Sequence, residues 1–386
     1  MAGGFGRRHF QGKIMRHHTH PLLSPVPGTQ RALESFHFGP DDAARRVYIQ
    51  GSLHADELPG MLVAWKLKQR LKALEEAGQL KAHIIVVPVA NPIGLDQQLM
   101  DIPLGRYDFE SVSNFNRGYR DLTDAIAEGL ETALTQDPVH NRDEIRRRFI
   151  AVLDATQATS TYESLHLTQQ RLACEADFIL DLHCDFHAVE HLYTTPAAWP
   201  DFEPLARYFG AKASMLATDS GGGSFDECFT LVWEQLRERF DDRFPIPYGS
   251  QSITLELRGQ QDVEHAMADR DAEAILDWMR YHALIDGDAP PLPALPYPAT
   301  ELAAMDFLRA PAGGLVVFHM APGREVKSGD LIAEIIDPIS DAVHAVRAEQ
   351  DGMFYARTQR RMATAGMIIA DVAGHHAHRS GYLLAP

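Results

Sequence analysis

Residues 45–78 read RRVYIQGSLHADELPGMLVAWKLKQRLKALEEAG. The first seven, RRVYIQG (45–51), form a short apolar run that ends in glycine, the pattern of a β-strand. The last part, LPGMLVAWKLKQRLKALEEAG (58–78), repeats Leu62, Trp65, Leu67, Leu71 and Leu74 at helical spacing and stops at Gly78. Pro59 falls in the first turn of that helix, where a missing N–H costs little. Between strand and helix stand His54 and Glu57, three residues apart. Such a strand-to-helix turn is where open α/β sheets place their ligands. Zn²⁺ accepts imidazole nitrogen and carboxylate oxygen, and a catalytic site supplies three protein ligands plus an open position. A plainer reading makes Glu57 a charge that suits a helix N-terminus and His54 incidental. The stretch alone does not choose between them.

Moving outward, AHIIVVPVANP (82–92), ADFILDLHCD (176–185) and QSITLELRG (251–259) are further apolar strands, with helical segments over 121–175 and to about 284. Buried strands alternating with helices predict an α/β fold: a mixed, mostly parallel sheet with helices on both faces. DGDAPPLPALPYPATEL (286–302) carries five prolines and reads as an extended linker. A catalytic α/β domain is therefore expected over 1–285 and a second domain over 303–386. In the latter, AGGLVVFHMAPGREVKSGDLIAEIIDP (312–338) is a series of short β-rich runs cut by turn residues, which predicts a small all-β unit. Its layout resembles the barrel-sandwich fold of lipoyl and biotinyl carriers. The turn IIDPIS holds no lysine to modify, so no swinging-arm role is expected.

Bulk properties narrow the class. In 386 residues, 45% are apolar, enough to fill a core. The formal charge of −17 opposes nucleic acid and anionic membrane as partners. No apolar run approaches the roughly 18 residues of a membrane span. The opening MAGGFGRRHFQGKIMRHHTH has no apolar core, so no signal peptide is expected. Cys174, Cys184 and Cys228 are scattered, which suits a reducing, cytoplasmic location. HHTH (17–20) and HHAH (375–378) read as a solvated tail and a terminal loop. GGGS (221–224) reads as a linker, with Ser224 a candidate helix cap.

Two strands carry polar residues that need a reason. In ADFILDLHCD, alternation puts Asp181 and His183 on one face and Leu182 and Cys184 on the other. Buried polar groups cost a few kcal/mol unless partnered, on the order of 1–3 each. His183 is thus a candidate third ligand, with Asp181 behind it. A satisfied core histidine is the simpler alternative, and His187 and His191 are rival ligands. In QSITLELRG, Glu256 lies among apolar neighbours that raise a carboxyl pKa toward proton-shuttling range. A buried Glu256–Arg258 ion pair is the competing reading.

The order HxxE (His54, Glu57), Asn116-Arg117 in NFNRGYRDL, DLH (Asp181 to His183) and TLEL (Glu256) resembles the zinc carboxypeptidase superfamily, specifically its succinylglutamate desuccinylase/aspartoacylase branch. The resemblance spans roughly residues 45–284. It implies one Zn²⁺ per chain on His54, Glu57 and His183, with Glu256 as general base and acid. It also implies Asn116 and Arg117 as holders of a substrate carboxylate, Arg106 as polariser of the scissile carbonyl, and a tyrosine near the substrate, for which Tyr248 in IPYGSQS is the candidate. The implied reaction is hydrolysis of an amide bond in a small N-acylated amino acid or amine by water activated at the metal. A zinc carboxypeptidase acting on peptides would share every named residue. A non-catalytic binding module would be expected to lack one. The expected partner is a small N-acyl substrate; a homo-oligomer stays open. Whether the β domain overhangs the metal separates small substrates from peptides.

Overall fold

A computed structural model describes residues 15–240 and 242–384. Residues 1–14, which hold most of the stretch on which no signal peptide was expected, lie outside the described residues.

The main sheet has nine strands: β1 (Arg16–Pro21), β2 (Ala32–Phe38), β3 (Arg46–Gly51), β4 (His83–Val87), β5 (Phe178–Asp185), β6 (His191–Thr194), β7 (Ala213–Leu216), β8 (Gln251–Gly259) and β9 (Thr300–Glu301). Their order is β1-β2-β4-β3-β5-β8-β6-β7-β9. The run β4-β3-β5-β8 is parallel, while β1-β2, β2-β4 and β8-β6 pair antiparallel. The sheet is mixed and mostly parallel, as the sequence predicts. Helices α1 (Pro59–Glu76), α4 (Trp199–Phe209) and α6 (His265–Tyr281) cover one face, packing on Leu180, Leu182, Ile253 and Leu255. Helices α2 (Pro138–Ala155), α3 (Thr161–Ala173) and α5 (Glu227–Phe240) cover the other, packing on Tyr48 and Ile179.

Register brings three strand ends together. Gly51 of β3 lies opposite Leu182 of β5, and Glu256 of β8 lies opposite His183. The turn after β3 is seated by close backbone contacts. A Cβ on Gly51 would meet the Gly60 carbonyl at 2.6 Å, and one on Gly60 would meet the Leu182 carbonyl at 2.6 Å. Only glycine lets α1 approach the sheet there. The buried face of α1 is Val63, Ala64, Leu67 and Leu71, while Trp65 is 43% exposed. The expected stripe is therefore rotated: the apolar indole lies outside, beside the Lys66 ammonium.

Downstream, two antiparallel sheets enclose a second core that includes Val316, Ile332, Ile335, Phe354 and Ile369. One contains β10 (Met305–Arg309), β12 (Arg324–Val326), β15 (Gly352–Arg357) and β17 (Ile368–Gly374). The other contains β11 (Gly314–Phe318), β13 (Leu331–Asp337), β14 (Ala342–Arg347) and β16 (Met362–Ala363). The two halves are stitched together. Ala188, just after β5, pairs with Ala356 of β15, and the end of the proline-rich stretch becomes β9 at the edge of the main sheet. HHTH is also no tail: it forms most of β1 and pairs along β2.

Candidate metal centre and active site

His54, Glu57 and His183 converge. One donor atom from each lies within 4.8 Å of the others, and among the described residues no other set of three or more His, Cys, Asp or Glu does so. Glu57 sits in the middle, with Oε1 2.8 Å from His54 Nδ1 and Oε2 2.8 Å from His183 Nδ1. The two rings meet edge-on at 5.0 Å. All three residues are buried, at 3% exposure or less. The outer nitrogens are anchored. His54 Nε2 is 2.8 Å from Asn114 Oδ1, and His183 Nε2 is 2.9 Å from Asp181 Oδ2. Asp181 in turn accepts a hydrogen bond from Gln50, and Gln50 accepts one from the Tyr48 hydroxyl. Aiming Nδ1 at a common centre while fixing Nε2 from behind is how proteins orient metal-binding histidines. Two imidazoles and one carboxylate also match the donor set of a catalytic zinc site.

The electrostatics favour positive charge at that centre. Burial opposes the Glu57 carboxylate, but the two imidazoles outweigh it and hold the group well below its ordinary range. Burial also opposes a charged His183, yet Asp181 and Glu57 override it and hold the imidazole well above its ordinary value. His54 is pushed down to about 4, chiefly by burial and then by Arg106. Carboxylates that stabilise a proton between two histidines stabilise a metal cation for the same reason.

Glu256 reaches the same cavity from β8. Burial, then the Glu57 charge, pushes its carboxyl well above the ordinary value, and its Oε2 has no hydrogen-bond partner among the described residues. Arg258 does not pair with it. At Arg258 the backbone turns to φ 65°, the register with β5 slips, and the guanidinium meets Asp271 at 2.6 Å and Glu190 at 3.2 Å. This bulge removes the competing ion pair and leaves Glu256 facing the cavity. Arg106 lies 3.1 Å from Glu57 Oε1. Asn116 is buried, and its Oδ1 accepts the Phe225 N–H at 2.8 Å, which orients the amide. Arg117 lines the same cavity. Tyr248 does not: it lies outside, with the Arg237 guanidinium over its ring at 4.3 Å. Asp56 faces Gln260, at 3.0 Å, and is not in the cluster. Neither are His187, which bonds Arg357, and His191, which bonds the Val189 carbonyl.

The cavity holds about 770 Å³ and is shared between the two halves of the chain. Met305, Tyr355, Arg357 and Asp371 from the downstream sheets line it together with the His54–Glu57–His183 cluster. Tyr193 of β6 also faces in, and its hydroxyl is 3.3 Å from that of Tyr355. The loop read as a linker is part of the wall. Gly221, Gly222 and Gly223 all have positive φ, and a Cβ on Gly222 would meet Arg117 Cδ at 2.8 Å. Ser224 donates to Asp226 at 2.6 Å rather than capping α5 with its hydroxyl. Asp226 and Glu227 follow it into the cavity. These last residues were missed by sequence reasoning; the only trace was SFDE, two acids among apolar and small residues at a helix start.

Residues 43–282 match the succinylglutamate desuccinylase/aspartoacylase catalytic domain. The chain belongs to that family. Succinylglutamate desuccinylase/aspartoacylase proteins are hydrolases acting on small molecules. A solved family protein from Shewanella amazonensis is 24% identical, covers 93% of this chain and 98% of its own, and superposes with a TM-score of 0.81. One from Rhodobacter sphaeroides is 18% identical, with 94% and 96% covered and a TM-score of 0.62. The product-bound ectoine utilization protein EutE (DoeB) from Ruegeria pomeroyi is 16% identical, with 94% and 95% covered and a TM-score of 0.66. At these identities the likeness establishes the shared fold. No curated protein matches the sequence. Among the described residues, no helix of this family member is long and apolar enough to cross a membrane.

Proposed function

We propose that this family member is a zinc-dependent amidohydrolase that removes the acyl group from a small N-acylated amino acid or amine. The observation that carries the reading is the juxtaposition in one cavity of His54, Glu57 and His183 with Glu256, whose Oε2 has no hydrogen-bond partner among the described residues. A bound Zn²⁺ would supply a Lewis acid that polarises the scissile carbonyl and acidifies the attacking water. His54, Glu57 and His183 would hold it. Glu256, buried and proton-hungry, takes the proton of the attacking water and returns it to the leaving nitrogen. Arg106 supports the oxyanion that develops on the carbonyl, a task whose loss typically costs roughly 3 kcal/mol. Arg117 and the oriented Asn116 amide bind a substrate carboxylate; the planar guanidinium suits two-pronged contact.

Small substrates are favoured over peptides because Tyr355, Arg357 and Asp371 of the downstream β region line the same cavity as the His54–Glu57–His183 cluster. A long peptide would have to displace them. A homo-oligomer and a cytoplasmic site remain part of the proposal; the three cysteines are free and buried, which fits a reducing compartment. The test is a hydrolysis screen over acetyl-amino acids, succinyl-amino acids and peptides, with and without chelator. Chelator-sensitive release of a small acyl group is expected. Preferential cleavage of peptides would select the carboxypeptidase instead, and turnover indifferent to chelator would remove the metal from the scheme.

A further inference from the structure

Residues 104–117 bring two kinds of wall to the cavity. Arg106, Asn116 and Arg117 bring polar groups, while Leu104, Tyr107, Phe109 and Val112 bring large apolar ones. The apolar four are also exposed to solvent, Val112 at 78%, so they stand where the cavity opens. Single apolar side chains on a surface need no explanation, but several from one loop at the mouth of a cavity mark a binding site. The mouth is built rather than loose. Buried Gln97 donates from Nε2 to the Leu104 and Tyr107 carbonyls, at 3.0 and 2.6 Å, and accepts the Phe109 N–H at 2.9 Å. Asp108, also buried, accepts the Ser111 N–H and hydroxyl at 2.9 and 2.7 Å, and its carbonyl accepts the Val112 N–H at 2.8 Å. The turn so closed keeps Val112 at φ 59°. A β-branched residue is strained in that left-handed region, and strain kept together with exposure signals a functional surface.

The chemistry of the ligand follows from the two walls. Phe307, Met367 and Ile369 of the downstream sheets add further apolar lining. At about 770 Å³ the cavity is sized for a molecule well beyond an acetylated amino acid, since pockets of roughly 300–1,000 Å³ take drug-sized ligands. A carboxylate and an amide engage the polar groups and leave the apolar mouth in water. A ligand that satisfies both walls is amphipathic: polar at one end, with an apolar chain long enough to reach the mouth. The amino-acid half is committed through its carboxylate to Asn116 and Arg117, and its side chain is short. The acyl half is the one that extends as an unbranched chain. The formal charge of −17 works against an anionic membrane surface as the partner of this loop.

We propose that Tyr107, Phe109 and Val112 form a subsite for an apolar acyl chain, so that the preferred substrate is an N-acyl amino acid whose acyl group is a medium-chain hydrocarbon such as octanoyl. This rests on the deacylase reading above. Acetyl and succinyl groups leave the subsite empty and are released more slowly. The three side chains are specificity-determining: they touch the chain and not the reacting bond.

The experiment has two arms. In the first, N-acetyl-, N-butanoyl- and N-octanoylalanine are compared as substrates of the zinc-loaded protein. N-acetylphenylalanine and an octanedioylalanine, whose chain is as long but ends in a carboxylate, stand beside them. Each methylene taken out of water contributes about fourfold, so octanoylalanine is expected to exceed acetylalanine in kcat/KM by about 10²-fold. Phe109→Ala, and Val112→Gly, which suits the φ of 59°, should each shrink that ratio, mainly through KM. No rise along the series, an equal rise with the charged chain, or a lead for acetylphenylalanine over octanoylalanine would overturn the proposal. In the second arm, octanoate and butyrate are titrated calorimetrically into the wild-type protein and the Phe109→Ala, Val112→Gly double variant. Tighter octanoate binding that is lost in the variant supports the subsite even if no acyl compound is hydrolysed, an outcome that counts against the deacylase reading alone. Equal binding of the two acids removes the subsite. A wild-type dimer that the double variant dissociates in light scattering would give the mouth to a second copy instead. Co-sedimentation with phosphatidylcholine vesicles that the variant loses would give it to a bilayer, and either result overturns the proposal.

Discussion

Two groups of histidines lie on the same sheet and behave oppositely. At the centre, His54 and His183 flank a buried carboxylate, and Asn114 and Asp181 anchor their outer nitrogens. At the edge, formed by β1, β2 and β4, the histidines face each other. His37 Nδ1 is 3.2 Å from His83 Nε2, its Nε2 is 2.9 Å from the Ser35 hydroxyl, and the ring of His18 meets it edge-on at 4.6 Å. The edge carboxylate, Glu34, faces His17 and Thr19 instead. Burial and neighbouring positive charge push His37 down to about 3 and His83 to about 4. Histidine density therefore does not make a metal centre. A carboxylate between imidazoles whose far nitrogens are anchored is what makes the central group a candidate for one.

That contrast can be broken in several ways. Glu256→Gln should keep the metal and lose turnover by about 10²–10⁴-fold; metal analysis and kcat check both, and a near-normal rate would strip Glu256 of its role. Arg106→Ala should lower kcat by about 10²–10³-fold with metal content intact. A change confined to KM would make Arg106 a binding group only. Asp181→Asn leaves His183 in place but weakens its anchor, so zinc affinity should fall by about 10–100-fold in a competition titration. Unaltered affinity would show that the anchor is dispensable.

The edge group should show the smallest effect and a different one. Paired replacement of His37 and His83 by Gln should leave zinc content unchanged. It should also alter the pH dependence of stability. Both histidines titrate lower in the folded chain than the ordinary 6.5, so the unfolded chain takes up more protons as pH falls below about 6.5, and stability drops toward pH 4. Urea midpoints at pH 7.5 and pH 5 should therefore differ less in the double variant than in the wild type. An equal difference in both would mean that these two groups do not contribute.

The central cluster was legible in sequence because it is built from strand ends. Alternation along ADFILDLHCD places Asp181 with His183, and the parallel register of β3, β5 and β8 carries His54, His183 and Glu256 to one end of the sheet. What stayed hidden depends on contacts between distant segments. Tyr193 and Tyr355 meet across 162 residues, and Asp371 reaches the cavity from a different sheet. The GGGS loop looked like a linker because nothing in it is apolar, yet a Cβ on Gly222 would collide with the side chain of Arg117, and one on Gly221 with Tyr382. Likewise Tyr248 was near Glu256 in sequence, but it precedes β8 and so emerges at the opposite end of the strand from the Glu256 carboxyl. The Arg258 bulge, which decides what Glu256 faces, has no sequence signal, since a positive φ at arginine is uncommon.

The central claim is that His54, Glu57 and His183 hold the ion on which hydrolysis depends. The most direct measurement is a calorimetric Zn²⁺ titration of metal-stripped wild-type protein and His183→Ala, with acyl-amino acid hydrolysis followed at each addition. The expected result is one ion per wild-type chain, activity returning in step with it, and neither in the variant. Full zinc binding by His183→Ala, or hydrolysis by the stripped wild type, would contradict the account.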